Sequence, residues 1–233
     1  MSPLSLGFDA KRSLLCLVAA AAVVMAGCAS TSSPAPQKNS GFLTETYYDK
    51  LASVQAPEDQ VVYRFIAPGF DKSAYHHAII TPVTVFPKPQ PTEQISMEMM
   101  LTLQGKLTRL IEDAMASAIP ITNTSAPGVL RVEMAITGIS ISNEDLAPYE
   151  YLPFALVAAG VNSAAGGRDQ EVKLFLETKL TDSVSGDVLA VGVREISGED
   201  LENVKEKLQA QHLNQGLEDA GKDMARAIKE MFQ

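Results

Sequence analysis

The chain of 233 residues has no tryptophan, three histidines and two cysteines, and only 6% of it is aromatic. Each shortage excludes something. Without tryptophan and with few other rings, a carbohydrate-binding platform of stacked aromatics lacks its material. Three histidines leave little choice of base or metal ligand. His76 and His77 are neighbours in a strand-like stretch, where successive side chains point to opposite faces, so they cannot easily chelate one ion. His212 reads as a solvated residue in a helix break. Positive charge is short as well: 19 Lys and Arg against 28 Asp and Glu leave a net charge of −9, which argues against nucleic acid or anionic lipid as a partner. The apolar run Leu14 to Met25 is twelve residues, below the roughly 17–25 that span a bilayer.

What is present at the start of the chain has the order of a secretory leader. Lys11 and Arg12 precede the apolar run, and small residues follow it. The tetrad Met25-Ala26-Gly27-Cys28 resembles the lipobox of bacterial lipoproteins, in which the cysteine thiol receives a diacylglycerol before cleavage. Met25 stands where leucine is usual. Cys16 is no rival, because Leu14 and Leu15 before it are too large. The resemblance implies a signal over 1–27, cleavage before Cys28, and anchoring in a lipid bilayer through the acylated (palmitate-type) residue. Ala29, in place of an aspartate, implies the outer membrane rather than the inner, with the domain on the periplasmic face. Loss of Lys11, Arg12 and Asp9 with the leader makes the mature chain more negative by one charge. It also leaves no thiol beyond Cys28, which excludes disulfides, Cys-zinc sites and cysteine nucleophiles.

Residues 28–40 are a polar, Ser- and Pro-containing tether too poor in hydrophobes to pack, with a random-coil reach of roughly 20 Å. A single domain is expected over 41–233. Val61 to Ile66 and Ala78 to Phe86 read as strands. Thr92 is placed to cap a helix with Glu93 in its first turn, and Met99, Leu103, Leu107, Ile111 and Met115 form its apolar stripe. Val129 to Ser142 alternates, with a change of phase at Gly138 that predicts a bulge. Glu171 to Thr181 and Val188 to Ile196 form a hairpin around Ser183 to Gly186. Leu201, Val204 and Leu208 predict one further helix, and Leu217, Ala220, Met224, Ile228 and Met231 a second after a break at 212–216. The expected fold class is α+β, a two-layer sandwich of a mainly antiparallel sheet with helices packed on one face.

Four segments carry a wider resemblance: Ser40-Gly41-Phe42-Leu43, the Tyr75 to Val85 stretch ending in Thr81-Pro82-Val83-Thr84-Val85, Ala126 to Val132, and Leu180 to Ala190. In that order behind a lipobox they resemble a bacterial family of lipoproteins known only as a domain of unknown function, over roughly residues 40 to 232. The family implies an envelope location and brings no catalytic residues.

Nothing in the sequence supplies a catalytic set or a cofactor site. No Gly-x-Ser-x-Gly elbow is present, Gly166-Gly167 lacks the strand-then-helix setting of a phosphate loop, and Glu144-Asp145, Glu199-Asp200, Asp182 and Asp187 suit turns and caps. The apolar stretch Pro148 to Gly167 has two readings. It is a buried connection, or, through Leu152, Phe154 and Leu156, a contact loop for a partner. The expected function is a noncatalytic accessory or structural lipoprotein that binds other envelope proteins. The alternative is a carrier or transport-system subunit for a lipid or other hydrophobic ligand, which needs an enclosed apolar cavity.

Overall fold

A computed structural model describes residues 40–56, 60–143 and 169–232. Alternating apolar and polar residues from Val129 onward produce the centre of the fold. Strand β5 (Val129–Asn143) pairs antiparallel with β6 (Gln170–Asp182), and β6 with β7 (Val188–Ser197). The register slips between Ile136 and Gly138, so the predicted bulge is there, and Ile139 and Ile141 rejoin the apolar face occupied by Leu130, Val132, Met134 and Ile136. Outside this trio lie β2 (Val61–Ile66) and β1 (Ala52–Gln55) on the β7 side, both antiparallel, and β3 (His77–Ile80) and β4 (Thr84–Val85) on the β5 side, both parallel to it. The order is β1-β2-β7-β6-β5-β3, with β4 also against β5.

Two long helices cover one face. Helix α2 (Met97–Ala116) buries Met99, Leu103, Leu107, Ile111 and Met115. Helix α3 (Asn214–Phe232) buries Leu217 and Ala220. Their apolar side chains join those of Leu130, Ile136, Leu174, Leu176 and Ile196 in one core, each such leucine or isoleucine contributing roughly 1.5–3 kcal/mol on burial. Close approach decides where α3 starts. A Cβ on Gly216 would sit 2.2 Å from the carbonyl oxygen of Ser197, so only glycine fits between the first turn of α3 and the end of β7.

Three expectations need correction. The single strand over Ala78 to Phe86 is divided, because Val83 turns its backbone to α2: its N–H donates to Thr108 Oγ1 at 3.0 Å and its carbonyl accepts from Gln104 Nε2 at 2.7 Å. The cap of α2 is Ser96, whose Oγ accepts from Met99 N at 3.1 Å, while Thr92 Oγ1 accepts from Ile95 N in a turn before the helix. No helix forms over 201–208. Leu201 instead exchanges two backbone hydrogen bonds with Gln170, Leu208 N donates to the carbonyl of Gln94, and Asn203 Oδ1 takes the N–H of Lys205. Leu201 and Leu208 are buried and Val204 is 52% exposed. A 3₁₀ turn, Ala210–Leu213, then leads into α3.

The chain before β1 is the element the periodicities did not announce. Residues 40–51, with a short helix α1 (Glu45–Tyr48), form a strap that packs on the other face of the sheet. There Leu43, Tyr63, Val191 and Val193 make a second, smaller core, rimmed by Phe42, Tyr47, Tyr48, Leu51 and Phe65. Among the described residues no helix is long and apolar enough to cross a membrane.

Candidate functional site

The strap is where the predicted tether meets the fold, and its chemistry is specific. Gly41 has a φ of 87°, a left-handed conformation that favours glycine, and it turns Phe42 and Leu43 down onto the sheet. Phe42 N–H donates to Ser40 Oγ at 3.0 Å. Ser40 N–H donates to the Tyr48 hydroxyl at 3.2 Å, and the Ser40 and Tyr48 hydroxyls lie 3.0 Å apart. Tyr48 Oη–H in turn donates to Glu177 Oε2 at 2.6 Å, a carboxylate that is 3% exposed on β6. Burial, and then the hydrogen bond to Glu177, push the Tyr48 phenol well above the ordinary tyrosine value.

Around this contact the strap is held by rings and cations. Phe42 meets Phe86 edge-on at 5.9 Å between ring centroids, and Lys179 Nζ stands 5.6 Å over Phe42 while pairing with Glu133 at 2.9 Å. Lys50 Nζ lies 5.3 Å over Phe65 and 5.6 Å over Tyr47.

A second polar cluster ties α3 to the sheet. Arg194, on the helix-covered face of β7 and 9% exposed, donates to Asp223 Oδ2 at 2.5 Å and to Gln60 Oε1. Arg226 donates to the other Asp223 oxygen. Burial works to raise the Asp223 carboxyl, and the two guanidiniums outweigh it, so the group titrates below the ordinary aspartate range.

The residues singled out from the sequence are placed as follows. His76 and His77 are both exposed. His212 is not solvated, which corrects the expectation: it is 9% exposed, Gln209 N donates to its Nδ1 at 3.4 Å, and its Nε2 lies 3.8 Å from Glu206 Oε1. The break it occupies is packed into the core beside Leu213. Asp182 shapes the β6–β7 turn, with Val184 N and Ser185 N both donating to its Oδ1 at 2.8 Å, and Tyr75 Oη–H reaches its Oδ2 at 3.1 Å. Asp200 is raised by burial and by the charges of Glu171 and Asp169. Among the described residues no group of three or more His, Cys, Asp or Glu side chains is placed to hold a metal ion. Cys28, Glu144-Asp145, Leu152, Phe154, Leu156 and Gly166-Gly167 lie outside the described residues.

Residues 38–224 match the family described as protein of unknown function DUF3313. The chain belongs to this family. A relative, the uncharacterized lipoprotein YdcL of Escherichia coli strain K12, is 31% identical over 201 residues, which cover 86% of this chain and 89% of YdcL; the protein of the same name from strain O157:H7 matches equally. The family match takes in the whole strap and the first part of α3, as far as residue 224. Among solved structures, the PelC dodecamer from Paraburkholderia phytofirmans is 8% identical with a TM-score of 0.35, covering 74% of this chain and 97% of that one. The hypothetical protein CT253 from Chlamydia trachomatis is 12% identical with a TM-score of 0.37, covering 68% and 94%. At these scores neither speaks to what the chain does.

Proposed function

We propose that the chain is an exported lipoprotein, cut before Cys28, acylated there, and held on the periplasmic face of the outer membrane as a noncatalytic accessory that binds other envelope proteins. The observation that carries the reading is Met25-Ala26-Gly27-Cys28 directly behind a short apolar leader. The lipoprotein name of its relative YdcL supports it. Two or three acyl chains supply at least the two membrane signals that stable attachment needs. The organisation is then leader 1–27, tether 28–40 and domain 41–233. The twelve residues from Ala29 to Ser40 keep the domain within roughly 20 Å of the headgroups in their typical conformations.

A Cys28→Ser protein is expected to stay unacylated and to leave the detergent phase on partitioning; unchanged partitioning sinks the anchor. The contact role of Leu152, Phe154 and Leu156 has its own test. Replacing all three with serine is expected to give a folded protein that loses its crosslinked envelope partners. Loss of the fold assigns those residues to the core instead.

A further inference from the structure

The strap residues and the buried Glu177 carboxylate define a separable element. The main core lies between the two long helices and the sheet, and the small core under the strap is a distinct cluster on the opposite face. Removing the strap therefore leaves the packing of α2 and α3 against the helix-covered face of the sheet as it is. Its continuation, β1, pairs with β2 through four residues on one edge.

The chemistry of closure is divided against itself. Leu43 gains from burial, being 1% exposed. In the closed state Glu177 is 3% exposed, and a buried carboxylate is unfavourable unless it is hydrogen-bonded. The Tyr48 hydroxyl supplies such a bond at 2.6 Å. If Tyr48 withdraws, Glu177 is better off in water than beneath the strap. The balance favours a discrete open state over a gradual loosening, with the same hydroxyl also holding Ser40 at the mouth of the tether.

We propose that Ser40–Leu51, together with the edge strand β1 that continues it, is a lid over the Tyr63, Val191 and Val193 face of the sheet, latched by Tyr48 on Glu177, and that it opens while the rest of the domain stays folded. This stands whether or not Cys28 is acylated, because it concerns only the folded residues.

Native-state hydrogen exchange on the full-length mature protein, in detergent micelles, tests it. Backbone amides of 42–55 are expected to exchange through an opening that leaves those of β5, β6 and β7 protected. Tyr48→Phe is expected to speed exchange in 42–55 by about tenfold or more, as loss of a hydrogen bond to a charged buried group implies, with β5–β7 unchanged. Glu177→Gln, which keeps an acceptor and removes the charge, is expected to have a smaller effect than Tyr48→Phe. If 42–55 and β5–β7 exchange together in the unmodified protein, or Tyr48→Phe accelerates both alike, the lid does not exist as a separate unit. Should Tyr48→Phe fail to fold at all, the strap belongs to the cooperative core and the proposal is likewise overturned.

Discussion

The two faces of the sheet are closed by different means. On the helical face, α2 and α3 bury a continuous apolar layer, and a charged exception, Arg194, is matched by Asp223 and Gln60. On the opposite face a dozen residues with one helical turn cover a small core that contains a carboxylate. Equal burial of individual side chains therefore does not imply equal influence on stability. Leu103 and Leu43 are 0% and 1% exposed, yet one is held by a packed layer and the other by a strap that can leave alone.

The sharpest way to break this comparison is to truncate both leucines. Leu103→Ala is expected to lower the global unfolding free energy by about 2–5 kcal/mol, the range for buried leucine with a residual cavity. Leu43→Ala should cost the global transition less, about 1 kcal/mol, because the loss is capped at the free energy that keeps the strap shut. Equal shifts in urea midpoint at unchanged slope would make the strap part of one cooperative unit. Between these two in size comes Gly216→Ala. Its added Cβ must displace the Ser197 carbonyl or the whole first turn of α3, and overpacking of this kind costs about 1–3 kcal/mol. A wild-type midpoint for that variant would contradict the α3–β7 contact.

Acid tests the helical face more gently. The folded Asp223 carboxyl titrates below its unfolded value, so the stability it contributes is complete above the ordinary aspartate pKa of about 3.9 and is lost as pH falls through the lower folded value. Asp223→Asn should reduce stability at neutral pH and flatten the acid decline, measured as urea midpoints across the acid range. Base tests the strap. The folded Tyr48 phenol is raised, so its contribution is complete below the ordinary tyrosine value of about 10 and disappears only as pH climbs through the higher folded one. In a spectrophotometric titration Tyr48 is expected to ionise after Tyr63 and Tyr75, which burial also raises. That late step should be missing from Tyr48→Phe.

Where hydrophobic period and hydrogen bonding agree, the sequence could be read directly. The β6–β7 hairpin, the slip at Gly138 and the stripe of α2 all fall where alternation or three- and four-residue spacing put them, since each of those segments satisfies its own backbone within the element. The stretch 201–208 shows the limit. Leu201, Val204 and Leu208 have helical spacing, but Gln170 and Gln94 take the backbone groups that a helix would need, and those partners are distant in sequence. His212 misleads for a different reason, since its partners Gln209 and Glu206 are local and form a buried turn that no apolar spacing marks. The strap left a fainter signal still. Ser40-Gly41-Phe42-Leu43 stands out as a family segment, and Glu177 as one charged residue in an alternating strand, and no periodicity connects Glu177 to Tyr48 of the strap across 129 positions.

The two edges of the sheet bear on how copies of this chain behave when crowded. At one edge β3 is closed off by the chain at 120–122, with Ala78 N–H donating to the Pro120 carbonyl and Thr122 N–H to that of Ala78. At the other, β1 is left with a free side only four residues long among the described residues. A strand that short offers a neighbour few backbone groups, and long, flat edges are what seed sheet-to-sheet aggregation. Cover at one end and brevity at the other leave a neighbouring copy few backbone groups to pair with at these two strands.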